Sequence, residues 1–102
     1  MQNVPYELLQ EFKDRMHFTH NSEDSNLQKL LSFSISAITR RVGAFDIDEN
    51  EGARELVLER TRYAYNDALE YFDKNFESEI LSVQLENALS EIVLEEDTDA
   101  TI

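Results

Sequence analysis

The residues able to hold a metal, activate a nucleophile or grip a phosphate are few, and their spacing works against each use. Asp46-x-Asp48-x-Asn50 opens like a calcium-binding loop, in which oxygen ligands at alternate positions wrap a hard cation. The rest of that pattern fails. Counted from Asp46, the sixth position is Glu51 instead of glycine and the twelfth is Val57 instead of glutamate. Counted from Asp48, Glu59 falls twelfth, but Gly52 and Ala53 fall fifth and sixth. An acidic loop that caps a helix is the simpler reading. His17 and His20 are the only histidines, and their spacing would let both rings reach one metal. No cysteine or dense carboxylate cluster flanks them, so they read as surface histidines. No Gly-rich phosphate loop, nucleophile elbow or Ser-His-Asp order is visible, and glycine-poor chains do not readily build the first two. The expectation is a protein with no catalytic residues, no cofactor and no metal.

One basic-aromatic interleave remains: Arg54, Arg60 and Arg62 with Tyr63 and Tyr65, the combination used for base stacking and phosphate contact. Glu55, Glu59, Asp67 and Glu70 share the segment and offset it, so an exposed helix face laced with ion pairs is expected instead. The whole chain argues the same way. Its 102 residues carry 9 basic and 22 acidic side chains, a formal charge of −13. Such acidity opposes a grip on DNA or on anionic membranes. All 9 bases lie between Lys13 and Lys74, so residues 1–74 net −5 and residues 75–102 net −8.

These residues need elements to position them. With 2 Gly and 1 Pro there is little to make hairpin turns from and little to stop helices, so the class should be all-α. The expected architecture is a small bundle of about four helices with one long central helix. A length of 102 residues suits one domain, placed at 1–94, with Glu95 to Ile102 as an acidic flexible tail. No apolar run reaches the roughly 20 residues of a membrane span, and no signal peptide is visible. With no cysteine, the chain fits assembly in a reducing cytoplasm.

Pro5 suits a first helical turn, and Leu8, Leu9, Phe12 and Met16 recur at helical spacing, predicting a helix over 5–15. A loop through His17 to Ser22 follows. A second helix should open at Glu23-Asp24 and bury Leu27, Leu30, Leu31, Ser34, Ile38 and Val42, with Arg40 and Arg41 in its last turn and Gly43 ending it. Phe33 and Ile35 lie off that stripe. Asp48 with Glu51 resembles a capping box, and from there to about Phe76 no breaker interrupts a third, long helix. It carries two apolar stripes, one with Leu56 and Val57 and one with Leu58, Tyr65, Leu69 and Phe76. Such a helix is longer than the globule is wide, so part of it should project or pack against another subunit. The last helix covers 80–94, with Leu81, Leu85, Ala88, Leu89 and Ile92 aligned.

In that order of elements the chain resembles the head-tail connector, or head-completion, proteins of tailed phages. The likeness is carried by Leu8-Leu9-x-x-Phe12, by Glu23-Asp24-x-x-Leu27-x-x-Leu30-Leu31 running to Val42-Gly43, by Arg62-Tyr63-Ala64-Tyr65-Asn66-Asp67-Ala68-Leu69-Glu70-Tyr71-Phe72, and by Val83-Gln84-x-x-x-Asn87-Ala88-Leu89. It spans about residues 5–94. It departs from that family in its acidic tail and in lacking a Gly/Pro-rich segment before the last helix.

The resemblance implies a structural virion protein, assembled in the host cytoplasm and placed at the head-tail interface. About twelve copies would form a ring below the portal, extend the DNA channel and dock a head stopper or tail protein. DNA would pass without specific binding. Portal contacts would fall on Val83, Leu85, Leu89, Ile92 and Val93; contacts between subunits would fall on Phe33, Ile35, Leu58, Tyr65, Leu69 and Phe76. About twelve copies would carry roughly −156 of formal charge, so assembly should depend on salt and on partners. The alternative is a small acidic regulator that mimics DNA and binds a basic partner.

Overall fold

The computed structural model describes the backbone of residues 4–100 and the side chains of residues 4–91. Among the described residues it is all-helical: α1 (Tyr6–Met16), α2 (Asp24–Val42), α3 (Glu51–Tyr65), a single 3₁₀ turn (Leu69–Tyr71), α4 (Phe72–Asn75) and α5 (Glu77–Ala100).

α1 starts where Pro5 has no N–H to lose, and the Pro5 carbonyl accepts from the amides of Leu8 and Leu9 at 3.1 and 3.3 Å. It stops at His17, whose φ of 63° is left-handed. The Phe18 amide bonds back to the Lys13 carbonyl at 2.8 Å and that of His17 to Asp14 at 3.2 Å. This pairing closes a helix end when one residue turns left-handed, a conformation in which histidine is enriched among non-glycine residues. α2 runs from Asp24, at the end where the dipole favours an acid, to Arg40 and Arg41, where it favours cations. Gly43 then adopts φ 91°, ψ 175°, a region open essentially to glycine alone.

α3 corrects two expectations. Its N-cap is Asn50, whose Oδ1 accepts from the Ala53 amide at 3.0 Å, so the Asp48–Glu51 capping box does not form. Nor does the helix run on to Phe76. It ends at Tyr65 because Asp67 takes φ 60°, with the Ala68 amide bonded to Tyr63 O at 2.9 Å and the Asp67 amide to Ala64 O at 3.2 Å. The stop is the same device as at His17, made without glycine or proline from Asn66-Asp67, residues that tolerate the left-handed region. The long helix of this molecule is therefore α5, with 24 residues, and not a central one.

α1, α2 and α3 form the body. Eleven of the fourteen residues in the apolar core belong to it: Leu8, Leu9, Phe12, Leu27, Leu31, Ile38, Val42, Ala53, Leu56, Val57 and Leu58. Each large side chain so buried is worth about 1.5–3 kcal/mol. The chain beyond Tyr65 adds only Phe72, Ile80 and Val83. Phe72 is the anchor, stacked on Phe76 at 4.9 Å and edge-on to Tyr63 at 5.7 Å, and it turns the chain back so that α5 can start.

Charge also holds the body together. Arg15 forks onto Glu55 at 2.8 Å through both nitrogens and reaches Glu59 at 2.9 Å, tying α1 to α3. Arg54 grips Glu11 at 2.6 Å, and Arg62 grips Glu59 at 2.8 Å. Buried Lys13 bonds Asn21 Oδ1 at 2.6 Å and lies 2.8 Å from Asp24, fixing the entry into α2. The molecule measures 57 × 28 × 21 Å, with a radius of gyration of 15.6 Å. A compact chain of this length would have about 13 Å. The excess comes from α5, about 36 Å long at 1.5 Å per residue.

Candidate assembly surfaces

α5 touches the body along one line, Ile80, Val83 and Asn87, at helical spacing. The approach at Val83 is close: a Cβ on Gly52 would stand 2.8 Å from Val83 Cγ2, so any larger residue there would force Val83 or α5 to shift. Asn87 closes the junction. Its Nδ2 donates to the Val42 carbonyl, left open at the end of α2, at 2.8 Å, and its Oδ1 accepts from Asn50 Nδ2 at 3.2 Å. One side chain thus joins the last turn of α2, the cap of α3 and the flank of α5.

Because that line faces inward, the leucines spaced away from it face solvent: Leu81 is 53% exposed, Leu85 53% and Leu89 58%. They form an i, i+4, i+8 stripe on the face turned from the body. Val83, expected among the portal contacts, is 4% exposed and belongs to the core under Gly52. Leu81, outside that expected set, joins the exposed stripe. The side chains of Ile92 and Val93 lie outside the described residues. α5 is helical as far as Ala100, including most of the segment expected as a tail, whose side chains also lie outside them.

The residues expected between subunits divide in the same way. Leu58 is wholly buried. Tyr65 packs edge-on to Phe18 at 5.2 Å and donates to Glu23 Oε2 at 2.7 Å, a bond that holds its phenol above the ordinary range. Phe76 is half-buried in the Tyr63–Phe72 cluster, and Ile35 packs partly against the core. These four serve the fold. Phe33 and Leu69 remain exposed at 54% and 38%, and the structure brings them together. They border a groove of about 320 Å³ between α2 and α3, completed by Leu30, Ser36, Ala64, Arg40 and Arg60.

The groove carries a pair that sequence reasoning missed. Arg40 reads from sequence as a helix-end cation and Arg60 as one member of an ion-paired face. Arg54 and Arg62 do make such pairs. Arg60 instead donates to Ser34 Oγ at 3.1 Å, and among the described residues neither Arg40 nor Arg60 has a carboxylate within ion-pair distance. Burial lowers the proton affinity of Arg60; the Asp73 charge opposes that and the neighbouring Arg40 charge adds to it. Asp73 is itself paired with Arg41 at 3.0 Å. The missed signal lay in spacing: Ser36, Arg40, Arg60 and Ala64 occupy matching i, i+4 positions on two helices that run antiparallel.

Elsewhere the polar residues have structural partners. Asp46 Oδ1 accepts from the Asp48 amide at 2.9 Å, and Asp48 lies 3.6 Å from Arg54. His20 Nδ1 and Ser22 Oγ are 2.8 Å apart. Among the described residues no group of three or more His, Cys, Asp or Glu is placed to hold a metal. A cleft between α3 and α5 is rimmed by Glu55, Glu79 and Glu86, the opposite sign to the α2–α3 groove. Comparison with protein-family models, curated proteins and solved structures finds no match to this chain.

Proposed function

We propose that this chain is a non-catalytic assembly subunit of the head-tail connector kind, which forms a ring of about twelve copies below a portal, prolongs the DNA channel and docks a stopper or tail protein. The observation that carries this reading is α5: a helix anchored along one line, with three leucines on its outer face. Monomeric proteins seldom leave such a stripe uncovered, and rigid helices with apolar anchors at i, i+4, i+8 commonly bind by laying that face into a groove. In this reading Ile92 and Val93 face the portal, and the stripe of Leu81, Leu85 and Leu89, with Phe33 and Leu69, faces neighbouring subunits. No helix among the described residues is long and apolar enough to cross a membrane. The site of action is the virion, after assembly in the host cytoplasm.

The test is capture by the cognate portal oligomer over a range of salt concentrations. Rings on the portal are expected, strengthening as salt screens the −13 of each copy. Absence of capture at every salt concentration contradicts the proposal.

A second reading, an acidic regulator that mimics DNA, draws on the absence of any base beyond Lys74. It leaves the leucine stripe without a use. Competition with DNA for a basic partner, abolished when the exposed acids are neutralised, would favour it.

A further inference from the structure

We propose that the groove between α2 and α3, flanked by Arg40 and Arg60, receives the leucine face of α5 from a second copy of this chain. The inference rests on the assembly reading and names the contact that would build the ring.

The two surfaces match in kind. The groove has apolar walls in Leu30, Phe33, Ala64 and Leu69 and two arginines without carboxylate partners among the described residues. The chain has 22 acids for 9 bases, yet among the described residues neither arginine of this adjacent pair has a carboxylate within ion-pair distance. α5 offers the converse. Leu81, Leu85 and Leu89 form a ridge, with Glu86 along one edge and Glu77 along the other by helical spacing, and no base occurs after Lys74. Seating the ridge in the groove would cover both apolar faces and bring carboxylates to the arginines.

The occupant must come from another copy. Ile80, Val83 and Asn87 fix α5 against Gly52, Asn50 and Val42, so the leucine face of a rigid helix points away from its own body. Pairing two α5 stripes with each other would set acids against acids. A ridge and a groove are different patches, so the contact is heterologous, the kind that generates closed rings when its rotation closes. It leaves the chain beyond Leu89, with Ile92 and Val93, to the portal.

The chain has no cysteine, so single introduced thiols report this contact without background. Ser36→Cys in one preparation and Leu85→Cys in another, mixed at high concentration and mildly oxidised, should give the mixed disulfide dimer in excess over either homodimer. Arg40→Glu added to the Ser36→Cys chain should cut that product about tenfold, by placing like charges together, and Glu86→Lys on the Leu85→Cys chain should restore it. Neither position is in the core, and thermal melts of each variant verify the fold. A dominant Leu85→Cys homodimer, a mixed product indifferent to Arg40→Glu, or no product overturns the proposal. Portal capture by the unmodified chain is read separately. Capture without the mixed product sinks this contact alone; the mixed product without capture sinks the connector reading and keeps the contact.

Discussion

The body and the arm are built from the same residue types and arrive at opposite states. In α1–α3 every leucine but Leu30 is inside, and most basic side chains there meet a carboxylate or an amide; Arg15, for example, bonds two glutamates at once. In α5 the leucines at 81, 85 and 89 face out, and eight acids over residues 75–102 have no base among them. A helix stabilised by packing needs its apolar face covered. The body covers its own, whereas the arm has one face covered by the body and one left for something else.

Mutations should divide along that boundary. The largest effect belongs to the body: Leu31→Ala should cost about 3–5 kcal/mol of unfolding free energy by leaving a cavity, whereas Leu85→Ala should stay within about 0.5 kcal/mol and weaken assembly instead. Denaturant melts and ring counting by native mass spectrometry read the two quantities. Equal losses of stability would erase the distinction.

Next comes the hinge between the regions. Gly52→Leu drives a side chain into Val83 and should cost about 1–3 kcal/mol while freeing α5 from the body, seen as faster amide exchange over 80–89. Asn87→Ala should cost about 1 kcal/mol, since it leaves the Val42 carbonyl and Asn50 without that partner. Exchange in α5 should again rise more than in α1.

Acid should act on the body through Glu59. Burial raises its pKa, and the hydrogen bonds and charges of Arg62 and Arg15 outweigh this, leaving the group below the ordinary glutamate value. A depressed carboxylate adds stability that is present above its unfolded pKa, about 4.3, and lost as pH falls through the folded one. The stability gap between wild type and Glu59→Gln should therefore be constant near neutrality and close below about pH 4. The smallest effect has the opposite sign. Ser32 is buried, and its hydroxyl has no partner, so Ser32→Ala should be neutral or stabilise by up to about 1 kcal/mol.

Much of the body was legible because its signals are local. Pro5, the Glu23-Asp24 opening and Gly43 bound α1 and α2 to within a residue or two, and the expected stripe Leu27, Leu30, Leu31, Ser34, Ile38 and Val42 is the buried face found except at Leu30, which is half-buried on the α2–α3 groove. The break after Tyr65 was not legible. Asn66-Asp67 stops a helix only if the chain adopts the left-handed turn, and Phe72 burying itself against Tyr63 is what makes that turn worthwhile; the decisive contact is tertiary. The contact surfaces expected at Leu58 and Val83 failed for a related reason, since both are buried. Periodicity says that two faces are apolar, but only packing says which one is inside. The Arg40–Arg60 pair needs the antiparallel register of α2 and α3, which no single segment contains.

In the free chain the outer face of α5 is folded but uncovered, and assembly covers it. Hydrogen exchange followed by mass spectrometry on the free protein and on the portal-bound ring reads that change segment by segment. Weak protection is expected over 81–91 in the free chain, strong protection there in the ring, and little change over 6–16 and 51–58, which lie outside the α2–α3 groove. Protection already complete in the free chain, or a change on ring formation confined to the body, would contradict it.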